Sequence, residues 1–223
     1  MIIIVPFSKP REGHLLASFV AHQKTRPDCV VIVENGAASG RTIEFCSQGR
    51  FGGAPVVILK SKPHQSHAKN VGLAYARENG HERAAIFDCD DYYGPDYLTQ
   101  VAAKLVPGKV VGRSRFFVYD DEGLFLPEHG EPWIFPGGTH AFYPAEVEDY
   151  PLLPVAEDTV FLSRCRARGM GAIDLQPWGY CYFRTTLYEH TYTGNVREQA
   201  AKIGIPIKDY GGRFEAKIVD GAP

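Results

Sequence analysis

Short apolar runs recur through the first hundred residues, and a segment with helical spacing follows most of them. An unbroken apolar run is typical of a strand that is buried on both faces of a parallel sheet. Because strands and helices alternate, the sequence predicts consecutive βα units in a Rossmann-like α/β arrangement, with helices on both faces of the sheet. The runs are Ile2 to Val5, Val30 to Val33, Val56 to Leu59 and Ala84 to Phe87.

The pattern changes after Lys109. Shorter candidate strands at 110–112, 115–119 and 124–126 predict that the sheet becomes mixed, within one domain made of halves 1–106 and 107–223. The stretch 127–156 is rich in Pro and Gly, and we interpret it as a loop-built wall over a site. A helix is expected from Glu157 to about Arg168 and a strand at 172–175, and the tail after Asp209 is expected to fray.

The composition excludes several classes of protein. The chain has 223 residues and a net charge of −2, with no run of basic residues, so nucleic acid is not an expected partner. Its five cysteines are odd in number and form no CxxC pair, which favours a reducing compartment. The N-terminal run lacks a basic start, and no apolar segment approaches the roughly 18 residues that span a bilayer. A cytoplasmic protein without transmembrane segments is therefore expected.

Three aspartates, Asp88, Asp90 and Asp91, directly follow the last of the buried runs. A strand that leads into a helix delivers its last side chains to the carboxyl edge of the sheet, where open α/β folds bind ligands. Like charges this close require a compensating cation, and Mg²⁺ or Mn²⁺ commonly joins one or two carboxylates to a phosphate. A solvated turn with helix-capping acids remains an alternative interpretation.

Other well-known chemistries lack their motifs. The first strand leads to Pro6, Phe7 and Ser8 rather than to a GxGxxG turn, and neither a P-loop nor a GxSxG elbow is present. Further acids stand at Glu34, after the second run, and at Glu157 and Asp158, where helix capping competes with function. A metal-bound phosphate ligand with a separate carboxylate base would use all of these acids.

Five segments, in this order, resemble the family 2 glycosyltransferases of the GT-A fold. The resemblance covers most of residues 2–175. Ser8 stands where the family commonly has Asn, and Glu34 with Asn35 replaces a common pair of aspartates. The tail lacks the signature of processive synthases, which implies a single addition. The segments are Ile3 to Pro10, Val31 to Gly36, Ala68 to Arg77, Phe87 to Asp91 with Pro95 to Leu98, and Gly137 to Tyr143 with Glu157 and Asp158.

The resemblance implies transfer of one sugar, with inversion, from a nucleoside-diphosphate sugar to a hydroxyl of a glycan or other acceptor, and a UDP-sugar is the first donor to test. Asp158 would be the catalytic base. Asp90 would be the principal ligand of Mn²⁺ or Mg²⁺, with Asp88 beside it and nearer the ribose, while Asp91 could share either role. The segment from Arg184 to His190 resembles an Arg and His pair of relatives, which makes His190 a candidate third metal ligand.

Two alternatives stay open: a sugar-nucleotide or glycan-binding module of the same fold without turnover, and a nucleotidyltransferase.

The remaining roles concern the two substrates. The expected nucleotide-binding residues are Pro6, Phe7, Ser8, Glu34, Asn35, Asp88, Asp90 and Lys69, the last pairing with the base or the diphosphate, and the expected acceptor residues are Trp133, Gly138, Glu157 and His140.

Overall fold

The computed structural model describes residues 1–7, 13–36, 51–128, 135–184, 196–202 and 204–221. In chain order the elements are β1 (Ile2–Phe7), α1 (Gly13–Ala21), β2 (Cys29–Asn35), β3 (Val56–Ser61), α2 (Gln65–Glu78), β4 (Ala84–Ile86), β5 (Tyr92–Tyr93), α3 (Tyr97–Lys104), β6 (Lys109–Gly112), β7 (Phe117–Asp120), β8 (Gly123–Pro127), β9 (Ala141–Phe142), α4 (Glu157–Ala167), β10 (Gly171–Asp174), β11 (Tyr180–Arg184), α5 (Val196–Lys202), β12 (Ile207–Asp209) and α6 (Ala216–Val219).

The main sheet has seven strands in the order β10-β6-β9-β4-β1-β2-β3. β1 lies parallel to β2 and β4, and β2 lies parallel to β3, so the parallel half is confirmed. β9 runs antiparallel between β4 and β6, which makes the sheet mixed after Lys109, as expected. All six residues of β1 are buried because helices and loops cover both faces of the sheet.

Helix α2 packs directly on β1 and β2. Gly72 permits this close approach, because a Cβ at that position would lie 2.3 Å from Cγ2 of Ile4. The helix ends at Glu78, and Gly80 follows with φ +69°, a left-handed conformation that glycine adopts readily after a helix. This packing fixes the residues of α2 relative to the carboxyl end of the main sheet.

A second sheet of five strands, β12-β8-β7-β11-β5, was not predicted from the sequence. An aromatic cluster on this sheet, including Phe117 and Phe214, receives the end of the chain. The expectation that the tail after Asp209 frays is wrong for its described part, which ends at residue 221, since Val219 is fully buried and the hydroxyl of Tyr92 donates to Asp220 at 3.0 Å. The tail therefore packs beside the strand that follows the aspartate cluster.

In the described ranges, no helix has both the length and the apolar character needed to cross a membrane. The four described cysteines, Cys29, Cys89, Cys165 and Cys181, are buried free thiols. Cys46 and the weak helical signal at 42–46 lie outside the described residues.

Candidate active site

The aspartate cluster lies at the carboxyl end of β4, in the middle of the main sheet. Phe87 continues the strand by donating its backbone N–H to Ile4 at 3.0 Å, and the backbone N–H of Asp88 donates to the Tyr93 hydroxyl at 2.7 Å. Tyr93 in turn donates to the carbonyl of Gly138 at 3.0 Å. One buried tyrosine therefore joins the end of β4 to the Gly-rich loop of the second half.

A cavity of about 270 Å³ opens at this edge. Asp88 and Asp90 lie on one side, while Glu157 and Asp158, the first residues of α4, line it as well. The structure thus brings the predicted metal ligands and the predicted base into one cleft. Its lining comprises Gln65, Lys69, Asp88, Asp90, Pro136, Gly137, Pro154, Val155, Ala156, Glu157, Asp158, Tyr182 and Arg184.

Asp91 does not share this cavity. Its side chain is fully buried and accepts hydrogen bonds from the Tyr180 hydroxyl at 2.6 Å and from the backbone N–H of Phe183 at 3.2 Å. The expectation that Asp91 could share the metal-binding or nucleotide-binding role is therefore corrected. Burial and the neighbouring aspartates raise the pKa of Asp91 well above its usual value, and its carboxyl group ties β11 to the cluster.

The pKa of Asp88 is shifted by its surroundings. Its pKa is raised to about 6, mainly by burial and then by the charges of Asp90 and Glu157, while Lys69 and Arg184 act in the opposite direction. The Gln65 side-chain amide donates to Oδ1 of Asp88 at 3.1 Å. The cavity lining contains the four carboxylates of Asp88, Asp90, Glu157 and Asp158 and the two basic side chains of Lys69 and Arg184.

Lys69 lies under the cavity on α2 and is 1% exposed. Its Nζ donates to Oε1 of Glu157 at 2.9 Å and lies 4.9 Å from the ring centroid of Tyr150. The sequence allowed a pair with the base or with the diphosphate, whereas the structure pairs Lys69 with the acid next to the predicted base. The Glu157 carboxylate is thus held by a buried cation.

Gly137 and Gly138 pass between the acids of the two sides. A Cβ on Gly138 would lie 2.8 Å from Oδ2 of Asp88, and one on Gly137 would lie 2.6 Å from Nζ of Lys69 and 3.7 Å from Oδ2 of Asp158. Larger residues at either position would displace a charged group of the site. Gly138 lies beside Asp88, where the reason for a glycine is steric, and its role as an acceptor residue stays a prediction.

Asp158 stands in the first turn of α4. Its Oδ1 accepts the backbone N–H of Thr159 at 2.8 Å. Ala156, just before the helix, has φ +59°, a left-handed conformation that is unusual for a residue with a Cβ. The chain therefore turns sharply as it presents Glu157 and Asp158 to the cavity.

His140 does not reach the cavity and is corrected as an acceptor residue. Its ring is fully buried, with Nδ1 2.9 Å from the Tyr150 hydroxyl and Nε2 3.2 Å from the carbonyl oxygen of Phe135. Burial, followed by the charge of Lys69, lowers its pKa to about 3. His140 is thus a neutral residue that holds the loop under the site.

The predicted nucleobase residues lie at the ends of β1 and β2, outside the cavity lining. Phe7 is paired in register with Glu34, and Asn35 accepts a hydrogen bond from the backbone of His64. Glu34 is 3% exposed, and its Oε1 has no hydrogen-bond partner in the described part of the chain. Pro6 lies beside Phe7 in β1, whereas Ser8, Trp133 and His190 fall outside the described residues.

Sequence reasoning did not assign Gln65 or Tyr182 to the site, whereas Pro154 and Val155 belong to the stretch 127–156 that was expected to form a wall over it. Tyr182 arrives on β11 of the unpredicted second sheet, and Arg184, two residues later, stacks its guanidinium 3.4 Å above the Tyr182 ring. The resemblance pointed to Arg184, but no local pattern marked Tyr182. Gln65 could have been found as a polar residue in the first turn of the helix that faces the aspartates.

Comparison with known proteins gives structural matches only, since no family model and no curated protein sequence matches the chain. TarS 1-349 of S. aureus in complex with UDP-GlcNAc superposes with a TM-score of 0.63 at 17% identity, over 87% of this chain and 61% of that one. The mannosyltransferase PcManGT of Pyrobaculum calidifontis, in complex with GDP-Man and Mn²⁺, gives 0.59 at 16% identity, over 82% and 55%. A 4-diphosphocytidyl-2C-methyl-D-erythritol synthase gives 0.51 at 10% identity, over 78% and 88%.

The chain has the GT-A fold of the nucleotide-sugar transferases, which confirms the fold that the resemblance implied. At these identities the matches define the fold, and the chain spans about 60% of the length of the TarS fragments. What the chain does must therefore be argued from its own cavity.

Proposed function

We propose that this protein is a metal-dependent inverting glycosyltransferase that moves one sugar from a nucleoside-diphosphate sugar to an acceptor hydroxyl. The observation that supports this most directly is that Asp88, Asp90 and Asp158 line one cavity. A transferase needs a group that stabilises the leaving diphosphate and a separate group that takes the acceptor proton. The two sides of the cavity supply candidates for both.

The donor side suits a divalent cation. Among the described residues no three acidic, Cys or His side chains converge as a complete metal site, so Asp88 and Asp90 would hold the ion together with phosphate oxygens. Burial, followed by the charges of Asp90 and Glu157, raises the pKa of Asp88, and a bound cation would favour its ionised form. When bound, Mn²⁺ or Mg²⁺ would neutralise the charge that develops on the leaving diphosphate.

Arg184 is placed to assist at the same end of the cavity. Its guanidinium offers planar donors that suit phosphate oxygens, and the Tyr182 ring orients it by stacking. Lys69 is less suited to that contact, because its ammonium is buried and bonded to Glu157. Lys69 would instead hold the Glu157 carboxylate in place on the acceptor side.

On the acceptor side Asp158 is the better base of the two adjacent acids. Glu157 is committed to Lys69, whereas Oδ2 of Asp158 faces Gly137 at the cavity. From the 3.8 Å spacing of consecutive Cα atoms and the contacts of Gly137 and Gly138, the carboxylates of Asp88 and Asp158 are within roughly 13 Å of each other. In the proposed reaction a sugar would bind between these two carboxylates, and a hydroxyl deprotonated by Asp158 would attack the anomeric carbon on the face opposite the leaving diphosphate.

The experiment incubates the protein with UDP-, GDP- and dTDP-sugars with and without Mn²⁺ and follows both products by NMR. A glycosyltransferase releases the nucleoside diphosphate only with the cation, and the product first appears as the anomer opposite to that of the donor. Slow hydrolysis with water as the acceptor would serve while the natural acceptor is unknown. A binding module would bind a donor and release nothing.

Nucleotidyl transfer is the second candidate, because the synthase named above shares the fold over most of both chains. That reaction would produce pyrophosphate from a nucleoside triphosphate and a phosphorylated substrate. A parallel incubation with a nucleoside triphosphate and a sugar 1-phosphate, assayed for pyrophosphate, separates this activity from the release of nucleoside diphosphate. Pyrophosphate release, with no cleavage of any nucleotide sugar, would refute the proposed function.

A further inference from the structure

Residues 151–156, with the sequence Pro-Leu-Leu-Pro-Val-Ala, form an unbroken apolar segment that we call the apolar ridge. Leu152 is 59% exposed and Val155 is 71% exposed. Within the described ranges, Val106 is the other large hydrophobic side chain with comparable exposure. Isolated exposed apolar residues are ordinary, but two in one short apolar segment indicate a contact surface.

The ridge is held in place by the protein beneath it. Asn70 of α2 clamps the preceding residue, because its Oδ1 accepts the backbone N–H of Tyr150 at 2.7 Å and its Nδ2 donates to the Tyr150 carbonyl at 2.9 Å. Leu153 donates its N–H to the carbonyl of Pro151 at 2.9 Å, and the two prolines restrict the backbone further. A fixed apolar surface loses little conformational entropy when a ligand covers it.

The ridge leads directly into the candidate site. Pro154, Val155 and Ala156 line the cavity, and the left-handed turn at Ala156 connects them to Glu157 and Asp158. A molecule that places a hydroxyl against Asp158 therefore has the ridge next to it. Strained backbone of this kind is commonly retained where function requires it.

Four of the charged side chains near the ridge form ion pairs. Arg77 bonds Asp149 at 2.7 Å, and Arg168 lies 3.5 Å from Glu148. Arg164 lines the same depression as Leu152. The exposed side chains of the ridge itself, Leu152 and Val155, are apolar.

We propose that the apolar ridge binds an apolar portion of the acceptor, so that the acceptor is a hydroxyl compound carrying an alkyl or aryl group beside the reacting hydroxyl. This inference rests on the proposed function, because the role of Asp158 as base makes this side of the cavity the acceptor side. Leu152 and Val155 then determine acceptor specificity by covering apolar surface rather than by taking part in the chemistry.

The test compares octyl β-glucoside, below its micelle concentration, with methyl β-glucoside as probes of binding, by saturation-transfer NMR without donor. Burying even a few methylenes predicts that the wild-type protein binds the octyl compound at least about tenfold more tightly. The double variant Leu152→Ser with Val155→Ser should lose most of that preference. The matched control Val106→Ser removes an exposed valine elsewhere and should keep it.

Equal binding of the two glucosides by the wild type, or an unchanged preference in the double variant, would overturn the inference. Sedimentation with phosphatidylcholine vesicles that depends on Leu152 and Val155, without an octyl preference, would also overturn it and assign the ridge to a membrane surface. The donor-cleavage assay tests the proposed function separately. An octyl preference that needs Leu152 and Val155, in a protein that cleaves no nucleotide sugar, would support apolar binding and refute the transferase.

Discussion

The two acidic sides of the cavity differ in what compensates their charge. On the acceptor side the buried ammonium of Lys69 neutralises Glu157, so Asp158 stands next to an acid that is already paired. On the donor side the pKa of Asp88 stays raised despite Lys69 and Arg184, because burial and the neighbouring acids outweigh them. On the proposed function, Glu157 is the acid that is paired within the protein, while Asp88 belongs to the side that would receive a cation.

The largest effect is expected at the base. Asp158→Asn keeps the shape of the side chain but removes its ability to take a proton, so the rate of transfer should fall about 10²- to 10⁴-fold, with donor affinity unchanged. Steady-state kinetics together with donor titration measure the two quantities. Asp96→Asn, on an aspartate that pairs with Lys24 at the surface, is the matched control. A transfer rate within twofold of wild type would rule out Asp158 as the base.

Removal of the buried cation should cost stability. Lys69→Met leaves Glu157 in a mostly buried position without its partner, which predicts a loss of about 3 kcal/mol or more in the free energy of unfolding. Chemical denaturation measures this loss, and adding Glu157→Gln to the variant should restore most of it. Lys24→Met, which breaks an exposed pair, should change stability by less than about 1 kcal/mol. Equal losses for the two lysines would contradict the description of the acceptor side.

On the donor side, Asp88 should make the stability of the protein depend on pH. The folded pKa of Asp88, about 6, lies above the ordinary value of 3.8, so the folded state binds more protons between these values and the contribution of Asp88 to stability falls as pH rises through them. His140 acts in the other direction, since its lowered pKa means that stability is lost as pH falls below its ordinary value. The stability of the wild type as a function of pH is therefore the sum of these two opposing contributions.

Subtraction of two profiles isolates the Asp88 contribution. Asp88→Asn should make the cation-free protein more stable than wild type at pH 7, by on the order of 3 kcal/mol, with the advantage shrinking toward pH 4. Thermal unfolding in the presence of a chelator across this pH range measures the difference. A constant difference between the two proteins at every pH would show that Asp88 has an ordinary pKa.

The contrast between the two sides also explains what the sequence could predict. β1, β2, β3 and β4 could be located because burial on both faces of a parallel sheet leaves a continuous apolar run. The order of the motifs predicted that the Asp88 cluster and Asp158 belong to one site. The burial of Asp91 outside the cavity could not be predicted, because it depends on a hydrogen bond from Tyr180, 89 positions further along the chain.

The second sheet escaped prediction for a related reason. β5 has two residues and β12 has three, which is too short for a periodic pattern to be recognised. β5 pairs with β11, so its partner is remote in sequence, and the burial of Val219 depends on the aromatic cluster of the same sheet. Tyr182 and Arg184 reach the cavity through this sheet, and their place could therefore be seen only in three dimensions.

The most direct test of the difference between the two sides is calorimetric titration of nucleoside diphosphates with and without Mn²⁺. Mn²⁺ should strengthen the binding of a nucleoside diphosphate to the wild type. This effect of Mn²⁺ should be lost in Asp90→Ala and kept in Asp158→Asn and in the control Asp96→Ala. Mn²⁺-dependent binding that persists unchanged in Asp90→Ala would contradict the central claim that these acids hold a cation and, through it, the diphosphate.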